Sequence, residues 1–386
     1  MKGFILLFVV LFHSLGLADD ELTRVLKIAG ENRAEIEKAL KNVPVEQKKG
    51  MDFLVKYMPE SDLKTLKGDF LIKNVAIAYR AREDFVWARN LPEEIFFNDV
   101  LPYAVLDETR DDWRQDFYDR FSKYVKDAVT MEEAIKAVNF SIMDEVNVKY
   151  SRKRKKPHQS PYESMEIHVA SCTGLSILLV DAFRSVGIPA RVAGIPKWTT
   201  KYGNHNWVEV WTPVDEGWHC TEFNPDRSGN LDLGWYIKDA SKANPKSFYH
   251  SVYATSWRTR EVHFPMVWNM QSKQVHGINV SDFYIKLGGV DEADTEDLCE
   301  LRIDHTVGGE RVSVPVAVSQ SDVKISEGDT PKSTNDMNHY YSVSVKRGQL
   351  YQVMWRAPGE DNWRRVEVLP KQTQGDKSFF RLKLEK

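Results

Sequence analysis

The segment 172–189 constrains the fold most, because it carries one continuous amphipathic helix pattern with clear ends. Its apolar residues recur at three- and four-residue spacing, and Gly187 and Pro189 end the pattern. The apolar face comprises Leu175, Leu178, Leu179, Ala182, Phe183 and Val186. We therefore predict a helix that begins at Cys172 and packs on a sheet.

Two strand patterns follow this helix. Residues 206–211 are rich in aromatic and β-branched side chains, and residues 218–222 form a second such run after a turn at 215–217. Strands joined by so short a turn are expected to pair as an antiparallel hairpin. A helix packed on antiparallel strands predicts an α+β fold.

Cys172 is the first candidate for chemistry. A thiol at a helix N-terminus lies near unpaired backbone N–H groups and the positive end of the helix dipole, which favour the reactive thiolate. A lone cysteine is more often a small buried apolar residue. Cys172 therefore needs a partner before it can be read as a nucleophile.

His205 supplies that partner. It directly precedes the first strand of the hairpin, about thirty residues after Cys172. A single histidine at this place would more often be structural. Paired with a cysteine at the start of a helix, it becomes a candidate base for a Cys–His ion pair.

The second strand offers a third group. Alternation places Trp218, Cys220 and Glu222 on one face, and Asn224 joins them if the strand continues. A polar side chain on this face could bond the far nitrogen of His205 and fix the orientation of the ring.

These features resemble the core of the transglutaminase-like superfamily. The matching motifs are Ala170-Ser-Cys-Thr-Gly174, Val186-Gly-Ile-Pro-Ala-Arg-Val192 and Asn204-His-Asn-Trp-Val-Glu-Val210. The resemblance covers roughly residues 95–260. It implies a papain-like triad of a cysteine on a helix, a histidine on a strand and a carboxylate on the next strand.

The third position departs from the family pattern, which usually has Asp directly before Pro. In this chain the residue directly before Pro225 is Asn224. Counting along the strand from Trp218 instead places Glu222 where the family's carboxylate often falls. Asn can also orient an imidazole, as it does in papain-like proteases. We favour Asn224, then Glu222, with Asp226 third.

Attack on an amide carbonyl also requires donors for the developing oxyanion. The backbone N–H of Cys172 is the natural first donor, and the second is left open between Gln159 and Ser160. His219 and Cys220 invite a metal site with the Cys–His pair, but their spacing fits no compact zinc pattern. We predict neither a metal nor a cofactor.

The N-terminus reads as a secretory signal peptide. Lys2 precedes an apolar run from Phe4 to Phe12, and small residues lead to a cleavage site after Ala18. The run is too short to span a bilayer, and no later transmembrane segment is expected. We therefore predict an exported protein, periplasmic or secreted.

At 386 residues the chain should hold two or three domains. After the signal peptide (1–18) we predict a helical region (19–94), a catalytic core (95–262) and a C-terminal β-sandwich (263–386). The sandwich is expected from alternating runs at 283–287, 311–318, 341–345, 351–355 and 379–384. It carries no evident catalytic cluster and is interpreted as a binding or spacing module.

Charge excludes one class of partner. The formal net charge is −3, and the basic run at 151–156 lacks interleaved aromatic residues, so nucleic-acid binding is not expected. This run is interpreted as a solvated loop that could border a substrate cleft. The three cysteines leave at least one thiol free, and pairing of Cys220 with Cys299 stays open.

The expected function is acyl transfer from a peptide or carboxamide through a thioester at Cys172, with hydrolysis favoured over amine transfer. The expected partner is a protein or peptide substrate. The alternative is an inert scaffold that binds peptide, or glycan through its C-terminal module.

Overall fold

A computed structural model describes residues 21–226, 228–289, 298–321, 323–370 and 379–384. The predicted signal peptide lies outside these ranges. Within them, no helix combines the length and the apolar composition that crossing a bilayer requires.

The N-terminal part is helical. Residues 21–29 are helical, and short 3₁₀ turns occupy Gly30–Asn32 and Val45–Gln47. The helices that follow are α1 (Arg33–Asn42), α2 (Lys48–Tyr57), α3 (Glu60–Leu63), α4 (Gly68–Asp84), α5 (Glu93–Asp99), α6 (Arg114–Val125) and α7 (Met131–Val146). Their apolar faces join one hydrophobic core that extends to Val275, so these helices are part of the central domain.

The central domain contains a six-stranded antiparallel sheet in the order β5-β4-β3-β6-β8-β7. A small parallel pair, β1 (Lys149–Tyr150) with β2 (Val169–Ala170), precedes it. The sheet strands are β3 (Ala190–Ile195), β4 (His205–Thr212), β5 (Gly217–Thr221), β6 (Tyr253–Ser256), β7 (Val262–His263) and β8 (His276–Asn279). The accompanying helices are α8 (Pro161–Ile167), α9 (Cys172–Ser185), α10 (Ile237–Ala240) and α11 (Ser281–Leu287).

Helix α9 has the predicted start and lies against β3 and β4, with α6 and α7 also packed on it. Ser171 caps it by accepting a bond from the Gly174 N–H at 3.2 Å. Residues 173–185 are all buried, as expected of a helix enclosed by sheet and helices. Gly194 must lack a side chain, because a Cβ there would lie 2.0 Å from Oδ1 of Asn206.

The C-terminal module is a β-sandwich, as predicted. One sheet joins β10, β9 and β13 in that order with β16 beside β9, and the other has the order β12-β11-β14-β15. The strands are β9 (Leu298–Val307), β10 (Glu310–Arg311), β11 (Pro315–Gln320), β12 (Val323–Asp329), β13 (Tyr341–Lys346), β14 (Tyr351–Trp355), β15 (Arg364–Val368) and β16 (Phe379–Leu384). A separate apolar core fills the space between them.

One predicted strand was wrong. Residues 283–287 alternate in polarity but belong to helix α11, in which Tyr284 is buried and bonds Glu209 of β4 at 2.7 Å. Helix α11 and strand β8 pack with the central domain. The central domain therefore continues well past residue 262, where the sequence placed its end.

A buried cluster of charges joins the two domains. Lys201 and Asp239 of the central domain pair with each other, and Arg302 of β9 pairs with Asp239 at 2.9 Å. Glu300 pairs with Arg302 at 2.5 Å. These four residues, called the interdomain ion cluster below, connect the C-terminal module to the central domain.

Candidate active site

Cys172 and His205 meet where α9 and β4 begin. Cys172 is the first residue of the helix and His205 the first of the strand. The Cys172 sulfur, a ring nitrogen of His205 and a carboxylate oxygen of Asp336 all lie within 4.8 Å of one another. Cys172 is partly exposed, whereas His205 is 2% exposed.

Aromatic rings surround the His205 imidazole. Ring centroids of Trp235, Tyr236 and Trp207 lie 4.7, 5.5 and 5.8 Å away. Burial by itself disfavours the charged ring, but the Asp336 carboxylate and contacts to Cys172 and Glu222 outweigh it and raise the pKa of His205 well above its ordinary value. The direction of this shift favours the charged form of the ring.

Asp336 comes from the C-terminal module, in the loop between β12 and β13. Its Oδ2 lies 3.4 Å from Nδ1 of His205, an ion pair whose alignment does not make a hydrogen bond. Its Oδ1 accepts bonds from the backbone and side-chain nitrogens of Asn338 at 2.8 and 3.1 Å. Burial opposes ionisation, yet the charge of His205 and these bonds lower the pKa of Asp336.

Residues 334–339, called the Asp336 loop, are tied down from both domains. Arg311 donates to the carbonyls of Asn335 and Asp336 at 2.7 and 2.8 Å, and to that of His339 at 2.7 Å. The Asn338 amide reaches Asn204 of the central domain at 3.1 Å. The carboxylate is thus placed by a clamped loop.

Glu222 approaches the opposite edge of the imidazole. Its Oε2 lies 3.8 Å from Nε2 of His205 and accepts a bond from Trp235 Nε1 at 3.2 Å. Burial raises the pKa of Glu222, and His205 acts against this. Asn224 and Asp226 are exposed, and Asp226 bonds the backbone and hydroxyl of Ser228.

The two carboxylates occupy different sides of the ring. Asp336 faces Nδ1, and Glu222 faces Nε2. Cys172 and Asp336 also line a second cavity, whose lining does not include Glu222. Glu222, at the other ring nitrogen, is therefore a candidate for the group that orients the histidine.

We expect the Glu222→Gln variant to lose about 100-fold in turnover, the lower range of what a general acid–base group contributes. The Gln amide would interact with the His205 ring more weakly than the Glu222 carboxylate does, so the ring would be less well oriented. Asn224→Ala should stay within about twofold, since an exposed substitution changes little. Steady-state rates of both variants test this, and an equal loss in Asn224→Ala would assign the orienting role to Asn224.

The expected oxyanion donors lie in different surroundings. The Cys172 N–H opens α9 and has no acceptor within the helix, whereas the Gly174 N–H bonds Ser171. The Gln159 amide instead bonds the carbonyl of Val169 at 3.0 Å, and Ser160 caps α8. Neither side chain lines the cleft.

Within the described ranges, Cys172, His205 and Asp336 are the set whose atoms could hold a metal ion. Tetrahedral zinc holds ligand atoms about 3.3–3.8 Å apart, and these three donors lie within 4.8 Å of one another. His219 lies apart from them and bonds Asp232 and Asp215 at 2.7 and 3.2 Å. Those contacts raise the pKa of His219 to about 9, which suits an ion pair more than a ligand.

The three cysteines are free thiols. Cys220 and Cys299 are 1% and 6% exposed, in different domains. Burial raises the pKa of both thiols. Cys172 is partly exposed and is therefore the accessible thiol.

Asp336 escaped the sequence analysis, which assigned no catalytic cluster to the C-terminal module. The available signal was a polar loop, Asn335-Asp-Met-Asn-His339, between alternating segments. Functional residues often lie on such loops. Nothing in its local pattern indicates that it would contact a histidine in another domain.

A thiol on the first turn of a helix, beside a buried imidazole on the adjoining strand, is the arrangement of the papain-like class of site. Residues 119–223 match the model of the transglutaminase-like superfamily. The chain therefore carries a transglutaminase-like domain, and this match includes Cys172, His205 and Glu222.

Solved structures with similarity include a proposed cysteine protease from Cytophaga hutchinsonii, at 14% identity and a TM-score of 0.29. Its alignment covers 51% of this chain and 66% of that one. Red sea bream transglutaminase aligns at 9% identity and a TM-score of 0.28, over 68% of this chain and 58% of that one. The chain thus spans less than two thirds of either protein. No curated protein sequence matched it.

Proposed function

We propose that the protein is a thiol enzyme that cleaves peptide or carboxamide bonds through an acyl thioester on Cys172. The observation that carries this proposal is the pairing of a partly exposed thiol at the start of α9 with a buried imidazole within 4.8 Å. The transglutaminase-like match over the same residues supports it.

In the proposed reaction the Cys172 thiolate attacks the carbonyl carbon, and helix N–H groups receive the oxyanion. The C–N bond breaks as the His205 imidazolium protonates the departing amine. Neutral His205 then takes a proton from water, which attacks the thioester and releases a carboxylic acid and the thiolate. Glu222 holds the ring in place during both transfers.

Hydrolysis is the preferred outcome. The cavities on the two sides of Cys172 measure about 40 and 90 Å³, enough for a few water-sized groups. Water is the smallest acyl acceptor and reaches the thioester most readily. We also propose that the enzyme acts outside the cytoplasm, on the basis of the apolar leader that ends at Ala18.

Labelling with iodoacetamide tests the nucleophile. At pH 6 we expect alkylation of Cys172 well before Cys220 and Cys299, because the latter two are buried. The His205→Gln variant should label more slowly, since it lacks the cation that stabilises the thiolate. Because the pKa of His205 is raised, the parent should still label faster than His205→Gln above pH 6.5.

Peptide mapping by mass spectrometry identifies the alkylated residue. Equal labelling of Cys172 in the parent and in His205→Gln would contradict the ion pair. It would then favour the second candidate, a binding protein without turnover whose affinity survives Cys172→Ala.

A further inference from the structure

We propose that the Asp336 carboxylate is the docking site for the free α-ammonium group of a peptide, so that the enzyme removes single residues from N-termini. This inference rests on the proposed function and names its substrate class. It assigns to the C-terminal module a part in substrate selection at the thiol site.

The first observation is a carboxylate oxygen, Oδ2 of Asp336, that faces His205 at 3.4 Å but accepts no hydrogen bond from the described residues. Asp336 is 9% exposed. A buried carboxylate oxygen without a donor is costly, and donors are normally supplied where the site is complete. A ligand that brings an N–H donor with positive charge would satisfy this oxygen.

The second observation is the distance from the nucleophile. One carboxylate oxygen of Asp336 lies within 4.8 Å of the Cys172 sulfur. In a peptide, the α-nitrogen of a residue is about 2.5 Å from its own carbonyl carbon. With a charged hydrogen bond of about 2.8 Å, an ammonium on Asp336 leaves its carbonyl within reach of sulfur.

The third observation is the shared lining. Asp336, Cys172 and Tyr150 line both cavities. The cavity beside Glu222 is the smaller one, at about 40 Å³, and the Asp336 loop forms part of its wall. The Asp336 carboxylate therefore borders the space in which a substrate carbonyl would meet the thiol.

The lining contains groups that attract a cation. Besides Asp336 and the imidazoles of His205 and His339, this cavity presents the carboxylate of Glu222 and the rings of Tyr150, Phe223 and Trp235. Aromatic faces and carboxylates both attract ammonium groups. In the free enzyme His205 is the cationic partner of Asp336. An arriving substrate ammonium would replace His205 beside Asp336, and the imidazolium would then be free to protonate the departing amine.

The test uses the full-length protein and a library of tryptic peptides from a bacterial proteome, prepared in three forms. One form has free N-termini, one is N-dimethylated and keeps the charge, and one is N-acetylated and loses it. Peptides shortened by one residue are quantified by mass spectrometry. We expect free and dimethylated peptides to be trimmed at least about tenfold faster than acetylated ones, the effect of one charged hydrogen bond.

In Asp336→Asn, we expect the rate on free N-termini to fall at least about tenfold, so that the preference over acetylated peptides disappears. Asp336→Glu keeps the charge and should retain the preference at a lower rate, which separates charge from folding. Asp361→Asn alters an exposed aspartate of the same module and should behave as the parent.

Several results would overturn the inference. Equal trimming of charged and acetylated peptides by the parent would exclude ammonium docking. Higher rates of Asp336→Asn on all three libraries would identify Asp336 as a blocking group, and an equal loss on all three would identify it as an orienting member of the triad. Labelling of Cys172 without trimming of any library would refute this inference alone, whereas absence of selective Cys172 labelling would refute the proposed function.

Discussion

Cys172→Ala is expected to lower turnover by about 10⁴-fold or more, because no other described group can form the acyl intermediate. The helix N–H groups and the cleft remain, so substrate should still bind. Single-turnover rates with peptide amides measure the loss of activity. A binding assay with the same peptides measures the substrate affinity that remains. Cys172→Ser should be similarly impaired, since a hydroxyl is far less acidic than a thiol.

Cys299→Ala is the matched control. Cys299 lies in β9 of the module, buried and away from the cleft, and its replacement should keep turnover within about twofold. Comparable activity in Cys172→Ala and the parent would remove Cys172 from the mechanism.

The second large effect concerns the interdomain ion cluster. We expect Asp239→Ala to reduce the free energy of unfolding by about 3–5 kcal/mol, the cost of removing one partner from a buried ion pair. The side chains of Lys201 and Arg302 are 5% and 3% exposed, and Asp239 pairs with both. Arg302 keeps Glu300, so the uncompensated charge falls mainly on Lys201.

Urea unfolding of the full-length protein provides the measurement. Asp69→Ala is the control, because Asp69 pairs with Lys38 on the surface and its side chain is 78% exposed. Exposed pairs contribute about 0–1 kcal/mol. A change in Asp239→Ala no larger than in the control would mean that the two domains dock without help from these charges.

The parts of the fold predicted from sequence are those encoded locally. Helix α9 and the hairpin of β4 and β5 follow from short-range patterns, because burial of one face imposes a period of 3.6 or 2 on the sequence. The cleft arises where their ends meet, which is why Cys172 and His205 could be proposed together.

The remaining features depend on contacts between distant segments. Residues 283–287 alternate like a strand, yet the preceding Asn279 accepts bonds from Ser281 and starts a helix that buries Tyr284. The contact of Asp336 with His205 depends on how one domain docks on the other. Local periodicity contains no information about such docking.

The position of Asp336 also determines when the site is completed during synthesis. The central domain leaves the ribosome first, with Cys172 and His205 already adjacent but without their acidic neighbour. Strand β9 then pairs with β16, the last strand described, so its sheet is finished only after residue 379 has been translated. If Asp336 selects the substrate as proposed, selection is acquired late, and a nascent chain stalled within the sandwich would expose Cys172 without it.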